Sequence, residues 1–367
     1  VSGELPPGVT FDPVTGRLSG IIQQVRTFRF NVRVTDANGA IDTRTLTIAA
    51  TPTGEPLQMV TQALPPASLG RAYTAPLEAR GGLDPYRWTL VSGTLPAGLR
   101  LNGDRIEGTP TAATVANINL RVTDAFGYSL TRDFLLRTAI DALPAVQITG
   151  LADSLNPGAQ SGVGVALSSA YPADITGRLI MEFAPDPPVA GIDPALQFST
   201  GGRSADFRIA AGQTVAVFTG TPAVQTGTVA GVITFRVELS VAGQSALPAN
   251  RPDRTVRLVH LPPVISSAAL ERRANGFTIT IIGFATTREM GELVADATPA
   301  AGRTLQTTRY VVPLSDVFRA WYNSAQSLPF GTQFTLSVPF DGDASAIQSL
   351  TIRLRNSAGE SASRAIN

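Results

Sequence analysis

The sequence predicts an all-β fold built as tandem sandwiches, with one short helix near its end. Three observations carry that expectation: apolar and polar residues alternate along extended runs, turn residues recur roughly every ten positions, and one stretch of the chain is repeated. The 367 residues are 43% hydrophobic and include 34 Gly and 27 Pro. That supplies enough apolar material for real cores, and the length suggests two to four domains.

In GVITFRVELSV, residues Ile233, Phe235, Val237 and Leu239 fall on one face, and Thr234, Arg236, Glu238 and Ser240 on the other. A period of two with one wet side marks a half-buried strand. FRFNVRVTD repeats the pattern through Phe28, Phe30, Val32 and Val34, INLRVTD through Ile118, Leu120 and Val122, and SLTIRLRN through Leu350, Ile352 and Leu354. One stretch, SDVFRAWYNSAQS, departs from it. There Leu314 and Phe318, Val317 and Trp321, and Phe318 and Tyr322 lie four apart, predicting a helix near 315–327. Ser315 is placed to cap it, and Pro329 and Gly331 to stop it.

The repeat is ordered. Val1, Ser2, Gly3, Leu5, Pro6 and Gly8 match Val91, Ser92, Gly93, Leu95, Pro96 and Gly98; Gly20 matches Gly108, and RVTDANG from Arg33 matches RVTDAFG from Arg121. In the Leu-Pro-x-Gly run, Leu plugs the core, Pro fixes φ, and Gly8 or Gly98 permits a positive φ. DANG and DAFG place Asp first and Gly fourth, as a type I turn prefers. The second copy also carries Leu64 to Leu90 ahead of its VSG, roughly thirty residues with no counterpart in the first copy. The chain is therefore expected to be a fragment that begins inside a repeat, its first unit having an open sheet edge and the lowest stability. Limited proteolysis should nick residues 1–50 first, and uniform resistance there would contradict this.

Pro-rich, charge-poor joints divide the chain into 1–54, a shortened repeat; 55–140, a complete repeat; 141–261, a sandwich; and 262–367, a sandwich carrying the helix. LPPASLGRAYTAPLEARGGLDPYRWTLVSGTLPAGLRLNGDRIEGTPT, followed by INLRVTDAFG, resembles the putative-Ig repeats of bacterial surface and secreted proteins, relatives of cadherin- and dystroglycan-type domains. The resemblance is close over 57–137 and partial over 1–50. TTREMGELVADATPAAG with FRAWYNSAQSLPFGTQFTLSVPF is similar to C-terminal Ig-like modules of exported acidobacterial-type proteins. Together these imply Ig-like or cadherin-like sandwiches in extracellular, non-catalytic modules that act as spacers, in adhesion, or in binding glycans and proteins.

Composition narrows the chemistry. There is no Cys, which removes disulfides, thiolate nucleophiles and Cys-based metal sites, and fits a bacterial exported protein. With one His, His260 beside Pro262 and Pro263, two-His metal sites are excluded and a Ser-His-Asp triad is disfavoured. A net charge of +1 with no basic cluster argues against nucleic acid, and no apolar run is long enough to span a membrane. The charge balance implies no particular partner; the resemblance implies an extracellular protein or a polysaccharide.

Asp36 and Asp124 resemble the calcium-ligating Asp of the cadherin AxDxG motif, but the companion acidic motifs are absent and only Glu55 lies at the first joint. Capping of their own turns is the simpler reading, with calcium the alternative. Asp341 and Asp343 in FDGDAS lack a later acidic ligand and are expected in a hairpin turn. Asp104, Glu107, Glu182 and Asp186 read as surface charges. Tyr86 with Trp88, and Trp321 with Tyr322, are candidate sugar-stacking platforms. PYRW lies on a strand whose alternation turns both rings to one face, so core packing is the simpler reading. The expected function is a non-catalytic adhesion or spacer array, with no cofactor; the alternative is a carbohydrate-binding accessory region of a secreted hydrolase.

Overall fold

Strand alternation is realised as burial. Ile233, Phe235 and Leu239 are buried while Arg236 and Glu238 point to solvent, and Ile118, Leu120, Val122, Leu350, Ile352 and Leu354 are buried as their alternation requires. The computed structural model describes residues 1–51, 54–186, 193–250 and 252–367. These form two units, Val1–Asp141 and Ala142–Asn367.

Both repeats lie in the first unit. In the second repeat one sheet runs in the order Arg87–Ser92, Val115–Thr123, Ser129–Ala139, Ala67–Ser68, and a facing sheet in the order Leu99–Asn102, Arg105–Gly108, Tyr73–Pro76. Met59, Tyr73, Ala75, Trp88, Ile106, Leu120 and Phe134 belong to the core between them. The first repeat has a sheet of Ser2–Gly3, Thr27–Thr35 and Ile41–Ala49 and a hairpin of Val9–Asp12 with Arg17–Gly20. Phe28 and Phe30 are buried as expected, but Val34, predicted on the same inward face, is 66% exposed. Nothing among the described residues of that repeat stands where the Ala67–Ser68 and Tyr73–Pro76 strands stand in the second.

The repeated residues make the same bonds twice. Leu99 N donates to Pro96 O at 3.0 Å and Thr109 N to Gly98 O at 3.1 Å, just as Val9 N donates to Pro6 O at 3.0 Å and Ile21 N to Gly8 O at 3.1 Å. Gly8 and Gly98 have φ of 84° and 88°, the positive values expected. The turn amides of Gly39 and Gly127 donate to the carbonyls of Asp36 and Asp124 at 3.1 and 3.0 Å, the four-residue turn expected of DANG and DAFG.

In the second unit, one sheet set occupies the region up to Leu258. Its main sheet includes Ile175–Pro185, Gly231–Val241, Arg254–Leu258 and Ser204–Ile209, and its smaller one Gln160–Gly162, Ala223–Thr226 and Leu196–Phe198. A second set follows: Val264–Arg273, Gly276–Phe284 and Gln333–Asp341 in one sheet, and Arg309–Pro313, Glu292–Pro299, Ile347–Asn356, Gly359–Glu360 and Arg364–Ile366 in the other.

Three local expectations are corrected. The helix spans Ser315–Tyr322 rather than reaching 327, and a 3-10 turn, Ala325–Phe330, takes over with Pro329 inside it and Gly331 at its end. Its N-cap position is Leu314, with no side-chain cap; the Ser315 hydroxyl instead faces Gly291 O at 3.5 Å. The FDGDAS segment is not a hairpin, because Gln333–Asp341 and Ile347–Asn356 belong to opposite sheets. A 3-10 turn, Ala344–Ala346, carries the chain across, capped by Asp343 Oδ1 accepting from Ser345 N at 2.9 Å. The bonds from Ser345 hold the Asp343 carboxyl below the ordinary carboxylate range.

Candidate binding surfaces

Both turn aspartates spend their oxygens on backbone amides. Asp36 Oδ1 accepts from Asn38 N at 2.8 Å and Ala40 N at 2.9 Å. Asp124, which is buried, accepts through Oδ1 from Phe126 N at 3.0 Å and Tyr128 N at 2.9 Å, and through Oδ2 from Leu83 N at 3.3 Å. Asp124 and Glu55 line one cavity of about 430 Å³ with Gly54, Gly82 and Tyr128. Among the described residues no three carboxylate, imidazole or thiol groups converge. Asp124→Ala is expected to destabilise the second repeat by about 2–4 kcal/mol, since it removes the acceptor of three amides from a buried position, whereas Asp36→Ala should cost about 1 kcal/mol or less. Urea denaturation of the two variants checks this.

The aromatic pairs divide between core and surface. Trp88 is buried, and half-buried Tyr86 packs against the same core while its hydroxyl donates to Gly81 O at 2.8 Å. Neither is an open platform. Trp321 and Tyr322 are successive helical residues, about 100° apart around the axis. Tyr322 turns inward, where its hydroxyl donates to Thr332 O at 2.7 Å and the Arg288 guanidinium sits 4.9 Å from its ring centre. Burial pushes its phenol up.

Trp321 faces a groove instead. A cavity of about 500 Å³ runs between the helix and the Gln333–Asp341 strand, lined by Ile282, Val317, Trp321, Phe330, Gln333 and Thr335 over a floor that includes Phe318 and Phe334. Trp321 and Phe330 lie 6.1 Å apart at 35°. Val317, Phe330 and Ile282 are 59%, 52% and 47% exposed. The sequence marked Trp321 but not its three neighbours: Val317 and Ile282 fit ordinary apolar spacing, and Phe330 lies in a turn with no periodicity.

The other acidic candidates each answer to an arginine. Asp104 lies 3.2 Å from Arg105, Glu107 2.7 Å from Arg100, and Glu182 3.5 Å from Arg236. Asp186 pairs with Arg257 and stands 3.8 Å from His260. Hydrogen bonds from Asn102 and Arg100 hold Glu107 below the ordinary range.

A buried, fully partnered polar cluster joins the two sheet sets of the second unit. Buried Asp193 accepts through Oδ2 from Thr228 N at 2.6 Å and Val229 N at 2.9 Å, and through Oδ1 from Ala195 N at 3.0 Å. The Thr228 hydroxyl lies 3.3 Å from Asp193 Oδ2 and accepts from Thr332 N at 3.0 Å, while the Thr332 hydroxyl donates back to Thr228 O at 2.8 Å. A second buried hydroxyl, that of Thr286, accepts from Leu261 N at 2.9 Å and faces Leu261 O at 3.1 Å, tying down the connecting segment.

Comparison with known proteins adds a family to the fold. No curated protein matches the chain. Solved structures with similar arrangements include a tetra-tandem repeat from the extending region of a large adhesion protein, 11% identical over 98% of this chain and 90% of that one, with a TM-score of 0.35. Another is the Bacteroides ovatus mixed-linkage glucan utilization locus SGBP-B in complex with a mixed-linkage heptasaccharide, 13% identical over 86% and 71%, TM-score 0.20. A third is the protocadherin GammaB4 extracellular domain, 12% identical, of which the chain spans 58% while 98% of the chain is covered, TM-score 0.25. The family model described as Putative Ig domain matches residues 1–51 and again 52–139. The duplicated corner and turn bonds run through both matched stretches, so the first 139 residues resemble two tandem copies of the Putative Ig domain.

Proposed function

We propose that the chain is a non-catalytic adhesion or spacer array of a bacterial surface or secreted protein, working outside the cell as four sandwich units, a shortened one at 1–54 and others at 55–140, 141–261 and 262–367. The observation that carries the reading is the buried clasp of Asp193, Thr228 and Thr332. A hinge built for motion keeps few buried polar bonds across it; here every polar atom named is partnered and closed to water, which favours a joint that holds its angle. The acidic candidates are all paired with arginines, and among the described residues no helix is long and apolar enough to cross a membrane.

A second reading, glycan binding, is favoured by the Trp321 groove, where an aromatic face, apolar walls and the amide and hydroxyl of Gln333 and Thr335 converge. Co-sedimentation of the full chain with insoluble polysaccharides and with peptidoglycan, with calcium and with a chelator, separates the two. A spacer is expected to stay in the supernatant in every arm. Saturable binding to one polymer that falls about tenfold or more in Trp321→Ala, a loss of about 1.4 kcal/mol, would replace the spacer reading with the glycan one. Binding lost on chelation would restore calcium at Asp124.

A further inference from the structure

The groove between the helix Ser315–Tyr322 and the strand Gln333–Asp341 is neutral. Among the described residues that line it none is charged, although the helix beside it carries Asp316 and Arg319. Those two pair with each other at 3.2 Å, out in solvent, and neither lines the groove. An ionised ligand seated there would give up water and meet no counter-charge, whereas a neutral one loses nothing of the kind.

The groove also separates carbon from polar atoms. Val317 and Trp321 on the helix, Phe330 on the 3-10 turn and Ile282 on the neighbouring strand present apolar surface. Trp321 adds to that side alone, because its indole Nε1 is closed off from solvent and meets no hydrogen-bond partner among the described residues. The polar groups come from one strand. Gln333 and Thr335 are both exposed and stand two apart, so their side chains leave the same face about 7 Å from each other. Neither side chain is bonded to a described residue, and Ile282 lies directly across the ladder from Thr335.

A ligand matched to this arrangement has apolar faces, a rim of hydroxyl groups and no charge. A pyranose whose hydroxyl groups are all equatorial has that form: its axial C–H groups cover both faces and its oxygens lie around the edge. An axial hydroxyl would turn a polar group onto an apolar wall that offers it no partner. We propose that the groove is a slot for a neutral, all-equatorial sugar, a β-linked glucan segment. Its ring faces pack on Trp321 and Phe330, and its rim hydroxyls bond to Gln333 and Thr335. This rests on the glycan reading of the groove and names the class of sugar it takes.

The test titrates the full chain by calorimetry with three soluble β-1,4-linked oligosaccharides of equal length. Cello-oligosaccharide is the expected ligand, manno-oligosaccharide turns one hydroxyl axial, and glucuronan oligosaccharide changes only the charge. Tryptophan emission gives the location, since the chain has two tryptophans and Trp88 is buried in the first unit. The cello-oligosaccharide is expected to bind and shift the emission, with the other two weaker by about tenfold or more. Affinity should fall by about tenfold or more in Trp321→Ala and in Phe330→Ala, and by about threefold or more in Thr335→Val. Phe330 and Thr335 are exposed, so those two variants keep the core intact. Equal or tighter binding of the manno- or glucuronan oligosaccharide overturns the proposal, as does cello-oligosaccharide binding that survives both Phe330→Ala and Thr335→Val. If the cello-oligosaccharide does not bind but the chain still co-sediments with a polysaccharide, the glycan reading stands and the sugar class is wrong. If neither binds, the glycan reading fails and the proposal falls with it.

Discussion

Replacing Asp193 with Ala is expected to destabilise the second unit by about 3–5 kcal/mol. The carboxylate takes three backbone amides and faces the Thr228 hydroxyl, all shut away from solvent. Removing it leaves those donors unpaired, and water enters only if the joint opens. For a unit of this size the midpoint should fall by roughly 2–4 °C for each kcal/mol lost. Thr332→Val is expected to cost about 1–3 kcal/mol, because it removes the hydroxyl that donates to Thr228 O while leaving the Thr332 amide in place. Calorimetry carries the sharper signature: the wild-type unit should melt in one transition and Asp193→Ala in two. A single transition with an unchanged midpoint in both variants would show that the sheets hold each other without the clasp.

Gly98→Ala should unfold the second repeat at markedly lower urea, with a loss of about 3 kcal/mol or more. Its φ is +88°, and a Cβ there would stand 2.0 Å from Thr109 O. That carbonyl is backbone in the adjacent corner and cannot swing aside as a flexible side chain would. Gly108 closes the corner from the other side, where a Cβ would meet Gly98 O at 2.1 Å. Gly103→Ala is the control. It has a φ of +59° but nothing within 4 Å, so only the backbone cost of about 1–2 kcal/mol applies. Equal losses for the two variants would mean that the corner relaxes and that the glycines serve conformation alone.

These corners also explain why the repeat was legible. Leu-Pro-x-Gly and the later Gly are separated in the chain but meet in one corner, so both must lack a Cβ and both recur. The turn aspartates were legible for the same reason, since an Asp that bonds the amides two and four residues ahead needs only its neighbours. The Ser315 cap was misread because a hydroxyl near a helix start has more than one acceptor in reach, and here Gly291 O from another strand faces it.

The sequence by itself determined which runs are strands, which face of each is apolar, where the turns lie and that the first two repeats are copies. Those properties follow from backbone sterics and from the two-residue period of a strand, which neighbours along the chain decide. The tertiary structure alone decided the rest. It separated Trp321 from Tyr322, sending one to a groove and the other to the core, because adjacent helical residues meet different surroundings. It left Val34 exposed where Val122 is buried, because burial depends on a covering strand from elsewhere. It also joined Thr228 to Thr332, residues 104 apart, in a clasp with no local signature. A buried polar network exists only once its members are brought together and water is excluded.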